Sequence, residues 1–201
     1  MDKKKKRTKA YLRLGAVRRT ITFQNTEEKM LKTLRKILEK EPDTMFIGRR
    51  NFCRRAGIAS TTLYRHHASV EDMFRRHKEQ NLEKFRAILR RSRSALSSPG
   101  EAYYCTLNFI QKNSDFFAII FLKNDSDFIY KMFDALRSEI YKTVNFPQGS
   151  EKTFRMFVAE VYTLLEDWQK TEFSDDKLKE VKHDIDFLAK TARKRLFPLD
   201  G

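Results

Sequence analysis

Residues 52–74, FCRRAGIASTTLYRHHASVEDMF, constrain the fold of this chain more than any other stretch. A short helical segment is followed by Gly57, the residue type that best tolerates the positive φ of a tight turn between two helices. Ala56 is small enough for the two helices to approach closely, and Leu63 is predicted to point back into the core. The stretch therefore predicts two short helices joined by a turn, with a long helix after them.

The second short helix has the composition of a DNA-reading helix. Its first turn is small and hydroxylated, so its side chains can reach base edges or phosphates without steric conflict. Tyr64 and His66 are donors of suitable length for backbone phosphates. A corner of two packed helices without DNA is the alternative. The candidate DNA-binding residues are Arg49, Arg50, Ser60, Thr61, Thr62, Tyr64, Arg65 and His66.

Charge is distributed unevenly along the chain, whose net charge is +15. Residues 1–100 hold 27 Lys and Arg against 10 Asp and Glu, whereas residues 101–201 hold 15 against 17. Basic charge gathered on one module is typical of nucleic-acid binding. The alternative, charge that serves solubility alone, needs no such segregation.

A known helix-turn-helix pattern, Ile-Ala-x-x-Ala-Gly-Val-Ser-x-x-Thr-Leu-Tyr-x-His-Phe-x-Ser-Lys-Glu-x-Leu, aligns with this stretch without a gap. The matching or conservatively changed positions are Phe52, Cys53, Ala56, Gly57, Ile58, Thr62, Leu63, Tyr64, His66, Ser69, Glu71 and Met73. On these residues the chain resembles the TetR family of bacterial transcriptional regulators, over about residues 26–90. The resemblance implies DNA contacts by Thr61, Thr62, Tyr64 and His66, and by Ser60 from its position.

Several positions depart from the family pattern. Ala59 stands where the family has Ser, so Ser60 is expected to cap the helix one residue later. His67 replaces a buried Phe. Val70 replaces a Lys that contacts phosphate in the family, so that contact is not carried over. Gly48 and Arg49 stand where Thr-Val is common, so the charge of Arg49 is available to face DNA.

The predicted fold is all-α: a three-helix DNA-binding domain joined by a long helix to a helical dimerisation and ligand-sensing domain. The predicted domains are a basic arm over 1–24, the helix-turn-helix domain over 25–68 and the helical domain over 69–201. Asn25 and Glu28 have capping-box spacing at the first helix. The predicted helices cover about 26–41, 49–55, 60–67, 70–92, 101–122, 127–143, 150–171 and 175–196.

The second half is rich in aromatic residues, and two interpretations stay open. The rings either fill a helical core or line an apolar pocket with a few orienting polar groups. The family resemblance implies a pocket for a small-molecule effector in this half. The candidate pocket residues are Tyr103, Phe109, Phe117, Phe121, Phe133 and Tyr162.

The last two predicted helices, 150–171 and 175–196, each carry apolar residues at helical spacing. A single small domain is expected to have difficulty burying both stripes, and the resemblance implies a two-fold homodimer through these helices. Packing within one chain is the alternative. In a dimer, two recognition helices would read half-sites about 34–36 Å apart.

Catalytic and metal-binding motifs are not evident. His66 and His67 are adjacent, so they are expected to point to different sides of a helix rather than converge. The sequence contains no Cys-x-x-Cys, His-Glu-x-x-His or phosphate-binding glycine loop. We expect no enzymatic activity, no metal and no cofactor. Cys53 and Cys105 are expected to be free thiols.

Membrane insertion and secretion are not indicated. The longest uncharged apolar block, FFAIIFL at 116–122, is much shorter than the roughly 20 residues of a spanning helix, and no apolar signal segment opens the chain. The sequence thus predicts a cytoplasmic, homodimeric transcriptional regulator that binds a palindromic DNA operator. Repression is favoured over activation, and an apolar effector is expected to release the protein from DNA. Two alternatives remain: a DNA-organising protein that acts through the basic arm without a ligand, and a protein-binding adaptor.

Overall fold

The computed structural model describes residues 23–42, 47–92, 99–140 and 150–196. All regular secondary structure in these ranges is helical, which confirms the predicted all-α class. No helix in the described ranges is both long enough and apolar enough to span a membrane. Most of the predicted basic arm, 1–22, lies outside the described residues.

The chain divides into two compact units, Met1–Val70 and Glu71–Gly201. The first contains α1, which is helical over 23–40, together with α2 (Arg49–Ala56) and α3 (Ser60–His66). The boundary falls after the first residue of α4. The remaining helices are α4 (Val70–Ser92), α5 (Pro99–Lys112), α6 (Ser114–Leu122), α7 (Ser126–Ile140), α8 (Ser150–Gln169) and α9 (Asp175–Leu196).

The core of the first unit is mainly aliphatic. The 3–4 spacing on α1 brings Met30, Leu34 and Leu38 to one side, and all three are almost fully buried. Leu63 of α3 is completely buried, as predicted. The predicted cap at Asn25 is wrong, because α1 is already helical at residue 23 and Asn25 lies inside it.

The turn between α2 and α3 depends on Gly57. Its φ of 56° and ψ of 43° are left-handed, and an L side chain adopts this conformation only with strain. The Gly57 and Ile58 amides close the end of α2 by donating to the carbonyls of Arg54 and Cys53, at 3.2 and 3.0 Å. This pattern satisfies carbonyls that the helix leaves unpaired.

The beginning of α3 differs from the sequence prediction. Ala59 occupies the N-cap position with extended backbone and no side-chain cap, and its carbonyl accepts from the Thr62 amide at 2.9 Å. Ser60 is the first residue of α3 and not its cap. The expected cap at Ser60 is therefore wrong, and α3 begins without a side-chain cap.

The predicted single helix over 101–122 is also wrong, because Asn113 divides it into α5 and α6. Asn113 has φ −118° and ψ 34°, and its side-chain amide donates to the Phe109 carbonyl at 2.8 Å. Its own carbonyl accepts from the amides of Phe116 and Phe117. The polar run Asn-Ser-Asp at 113–115 is the sequence feature that indicates this helix break, because such side chains compete for backbone hydrogen bonds.

The buried face of α4 is not entirely apolar. Met73, Phe74, Phe85 and Leu89 are buried, whereas Leu82 and Ile88 are only half-buried. The buried positions between Phe74 and Phe85 are His77 and Asn81, two polar residues. A periodicity search for apolar residues cannot find such positions.

Aromatic rings fill much of the second unit. Phe85 of α4 contacts Phe109 of α5 at 5.2 Å between ring centroids, and Phe109 meets Phe117 of α6 edge-on at 6.0 Å. At the α8–α9 corner, Trp168 is fully buried and packs edge-on against Phe173 at 5.3 Å. Its indole donates to the Ser174 carbonyl at 2.9 Å, so the corner combines a large apolar contact with a satisfied polar group.

Candidate nucleic-acid interface

α2 and α3 present opposite chemistries on their two sides. Phe52, Cys53 and Ala56 of α2 are buried, as is Leu63 of α3. The candidate DNA-binding residues lie mostly on the other side: Arg49, Arg50, Ser60, Thr61, Tyr64 and Arg65 are exposed, and Thr62 and His66 are half-buried. The two helices are in contact with each other.

Arg49 and Tyr64 connect the two helices on the exposed side. The Arg49 guanidinium lies over the Tyr64 ring at 4.1 Å from its centroid, and Tyr64 remains 52% exposed. A guanidinium stacked on an aromatic face is held by electrostatic attraction while its N–H groups stay available. Position 49 thus carries an oriented positive charge.

His66 and His67 lie at the other end of α3, and both face Glu27 of α1. His66 Nδ1 lies 2.6 Å from one Glu27 carboxylate oxygen, and His67 Nε2 lies 2.9 and 3.0 Å from the two oxygens. The Phe23 ring stacks on the His66 ring at 4.3 Å. The expectation that the two histidines diverge is wrong, because His67 has left the helix with φ −146° and ψ 147°.

This arrangement limits what His66 can do at an interface. Its Nδ1 is engaged with Glu27 and its side chain is only 9% exposed, so a phosphate contact would have to use Nε2. The sequence analysis did not select Glu27 or Phe23. No motif marks them, because their relation to His66 is created by the packing of α1 beside α3.

α1 and the end of α2 border a basic groove of about 720 Å³. Four lysines of α1 and one arginine of α2 line it: Lys29, Lys32, Lys36, Lys40 and Arg55. Glu41 accepts from Arg55 at 2.7 Å, and Lys29 reaches the Gly57 carbonyl at 3.4 Å. The basic surface of the first unit therefore includes α1 as well as α2 and α3.

The candidate effector-pocket residues occupy the core of the second unit in three groups of ring contacts. Phe109 and Phe117 contact each other. Tyr103 and Phe133 each contact Phe157 of α8 at 6.1 Å, and Phe121 contacts Tyr162 at 5.2 Å. Five of the six are 7% exposed or less, and Tyr162 is half-buried. Most of their ring surface is thus used in packing.

Two buried polar atoms accompany this aromatic core. The Tyr162 hydroxyl and the Asn81 side-chain oxygen have no hydrogen-bond partner among the described residues. Burial, followed by the negative charges of Glu166 and Asp125, raises the pKa of Tyr162. A buried polar group without a partner costs about 1–3 kcal/mol.

Many apolar residues of the α8 and α9 stripes are buried within the chain itself. On α8, Phe157, Val161 and Leu165 are buried, and on α9, Val181 and Ile185 are buried. One chain therefore buries these positions of both stripes without a second copy. Outward-facing apolar area remains on both helices, with Met156 at 44% exposed and Phe187 at 63%. Leu178, Leu188 and Ala192 are half-buried.

Both cysteines are free thiols, as predicted. Cys53 is buried in α2, and burial raises the pKa of the half-buried Cys105 thiol. A raised pKa reduces the thiolate fraction of Cys105 and therefore its nucleophilic reactivity.

Comparison with known proteins gave no match among protein-family models, curated proteins or solved structures.

Proposed function

We propose that this chain is a sequence-specific DNA-binding regulator of the TetR type, in which α2 and α3 form a helix-turn-helix. The separation of chemistry on these helices supports the proposal most strongly. Hydroxyl, phenol and guanidinium groups are exposed on one side, and the apolar residues that join the helices are buried on the other. This is the arrangement that a helix needs to enter a major groove while it stays attached to its domain.

Within this proposal, the exposed residues have two kinds of role. Thr61 and Thr62 in the first turn of α3 contact base edges and therefore select the sequence. Arg49, Tyr64 and Arg65 contact phosphates and position the helix without selecting it. The charge of the first unit, 19 Lys and Arg against 6 Asp and Glu over residues 1–70, provides the long-range attraction.

The proposal includes a homodimer formed through α8 and α9, which places two copies of α3 on a palindromic operator. Phe187 and Met156 supply the exposed apolar area for such an interface. The proposal further includes an apolar effector with at least one polar group, bound beside the aromatic core of the second unit. The unpartnered Tyr162 hydroxyl and Asn81 oxygen support this part.

The effector would release the operator only if it binds the DNA-free conformation more tightly than the DNA-bound one. Repression is the simpler mode of action, because a bound dimer blocks a promoter without contacting polymerase. No catalytic step is part of the proposal.

A sequence-independent DNA-organising protein is the second candidate, and the basic groove along α1 favours it. Lysines that follow a groove neutralise phosphates whatever the bases are, so such binding weakens steeply with salt and hardly distinguishes sequences. The two functions differ in specificity: a regulator prefers its own site by roughly 10³-fold or more.

The deciding experiment measures binding of the purified full chain to fragments of its source genome, at near-physiological salt and with excess competitor DNA, followed by footprinting. We expect a protected palindrome of about two helical turns. Salt-sensitive binding without a footprint would favour the DNA-organising alternative. No binding to DNA under either condition would refute both and leave the adaptor.

Two substitutions then separate the proposed roles. Tyr64→Phe removes a hydroxyl but keeps the ring beneath Arg49, so affinity should fall equally for all DNA sequences. Tyr104→Phe is the matched control, because Tyr104 is also an exposed tyrosine with a cation over its ring, Lys182 at 5.0 Å. Thr61→Ala should instead change which sequence is preferred, whereas Thr163→Ala, an exposed threonine of α8, should not.

A further inference from the structure

Glu27, His66 and His67 form the one cluster of potential metal ligands within the described residues. One donor atom from each side chain lies within 4.8 Å of the other two. The side chains are largely buried, with 12%, 9% and 4% of their surface exposed. The cluster thus offers three potential metal ligands, a carboxylate from α1 and two imidazoles from the end of α3.

The convergence follows from the local backbone. His66 is the last residue of α3, and His67 is extended, so the chain changes direction between two adjacent residues. The two rings lie 6.1 Å apart and are tilted by 46°. Had α3 continued through His67, adjacent side chains would diverge by about 100° around the helix axis. Glu27 then approaches both rings from α1.

The donor chemistry is that of zinc. Two imidazole nitrogens and one carboxylate oxygen are a set that holds Zn²⁺ in proteins, with the fourth position left to water. Zinc–nitrogen and zinc–oxygen distances of about 2.0–2.1 Å place tetrahedral ligand atoms roughly 3.3 Å apart. The carboxylate–imidazole distances are 2.6–3.0 Å, and all three donor atoms lie within 4.8 Å of one another. Side-chain shifts of roughly 1 Å would bring them to the tetrahedral spacing.

We propose that Glu27, His66 and His67 bind one divalent zinc ion, which fastens the end of α3 to α1. His66 would use Nδ1 and His67 Nε2, the atoms that now face the carboxylate. Each ring then carries its proton on its other nitrogen, and Glu27 binds as a carboxylate. Phe23, stacked on His66, holds that ring in the orientation the ion requires and shields one side of it.

Zinc would act on the same helix that carries the proposed DNA contacts, so the functional consequence rests on the proposed function. An ion that fixes α3 on α1 reduces the freedom that DNA binding must otherwise remove, and it adds positive charge near the phosphates. We expect operator affinity to rise with zinc by about fivefold or more, within the usual range of coupling between sites.

The test uses the full chain without an affinity tag, freed of metal with a chelator and titrated with ZnCl₂ in a calorimeter. We expect one ion per chain. Cobalt(II) provides an independent readout, because a four-coordinate site gives strong visible absorption that hydrated cobalt lacks. The variants Glu27→Gln, His66→Gln and His67→Gln should each lose at least tenfold in affinity, since even partners outside the ligand shell contribute that much.

His183→Gln is the matched control, because His183 is an exposed histidine of α9 far along the sequence from the cluster. Its zinc binding and cobalt spectrum should equal those of the parent chain. The proposal is overturned if the parent chain does not bind zinc, or if the three variants bind it as tightly as the control does. The triad would then be a hydrogen-bonded contact and nothing more.

If a variant of one of the three proposed zinc ligands fails to fold, the parent chain by itself still tests the site. Zinc that binds only the folded state must raise its unfolding temperature in proportion to the logarithm of free zinc above Kd, and His183→Gln must show the same rise. No increase would count against the site. None of these measurements contains DNA, so failure of the zinc site and failure of the proposed function are distinguishable.

Discussion

The two units of this protein use the same all-helical architecture for different purposes. Residues 1–70 hold 19 Lys and Arg against 6 Asp and Glu, whereas residues 71–201 hold 23 against 21. The first unit buries aliphatic side chains under helices that expose arginines and hydroxyls, and the second packs aromatic rings against one another. The two units therefore differ in both surface charge and core composition.

The side chains next to exposed cations also differ between the compared regions. In the second unit many exposed cations have a carboxylate beside them, as Lys131 has Asp127 at 2.6 Å and Lys170 has Asp167 at 2.7 Å. On the outer face of α2 and α3, Arg49 has an aromatic ring instead. A cation beside an aromatic ring keeps its full positive charge, whereas one beside a carboxylate is largely neutralised.

Trp168→Ala should have the largest effect, and it is confined to the second unit. The side chain is fully buried, contacts Phe173 and donates to the Ser174 carbonyl. We expect its removal to lower the free energy of unfolding by about 3–5 kcal/mol, measured by urea denaturation followed by circular dichroism. Trp168→Phe keeps most of the packing and should lose less. Equal losses for both would show that the hydrogen bond, not the packing, dominates this corner.

Leu63→Ala is the corresponding change in the first unit. Leu63 is the buried anchor of α3, so its truncation should cost about 2–5 kcal/mol and detach α3 from its support. We expect DNA binding to be lost while the association state, measured by analytical ultracentrifugation, stays that of the parent chain. If both properties fail together, the two units are not independent in function.

Phe187→Glu tests the proposed dimer surface. Phe187 is 63% exposed on α9, so a charge there does not disturb the core of the protomer. In a dimer that buries it, exchange for Glu should weaken association by at least tenfold, since a buried Phe is worth about 1.5–3 kcal/mol. Sedimentation at several concentrations measures this, with Phe187→Leu as the control. Unchanged association would place the interface elsewhere.

Glu151→Gln should have the smallest effect. Hydrogen bonds from Tyr130 and Arg137 lower the pKa of the Glu151 carboxyl. A lowered pKa in the folded state contributes stability at pH values above the unfolded pKa, and this contribution is lost as the pH falls through the folded value. The side chain is half exposed, so the contribution should stay within about 1 kcal/mol. The urea midpoint should fall slightly less between pH 7 and pH 3 in Glu151→Gln than in the parent chain. An identical fall in both would show that Glu151 does not contribute to the pH dependence of stability.

The sequence predicted most helices well because their signals are local. Apolar spacing located α1, α4, α8 and α9, and Gly57 located the turn between α2 and α3. The errors were local as well. Asn113 breaks the α5–α6 region through a hydrogen bond to Phe109, and α1 extends past the residue predicted to cap it. At such positions tertiary packing competes with weak capping preferences, and the preference alone does not decide the boundary.

By itself, the sequence determined the helical class, the basic first half and the buried position of Leu63 on α3, since each follows from composition or from local helical spacing. Only the tertiary structure decided which polar side chains meet. Glu27 is about 40 residues from His66 and His67, and no pattern relates them until α1 packs beside the end of α3. The stacking of Arg49 on Tyr64 has the same origin. Contacts between residues distant in sequence depend on how the helices pack in three dimensions. A sequence pattern reports only on residues that are close together along the chain.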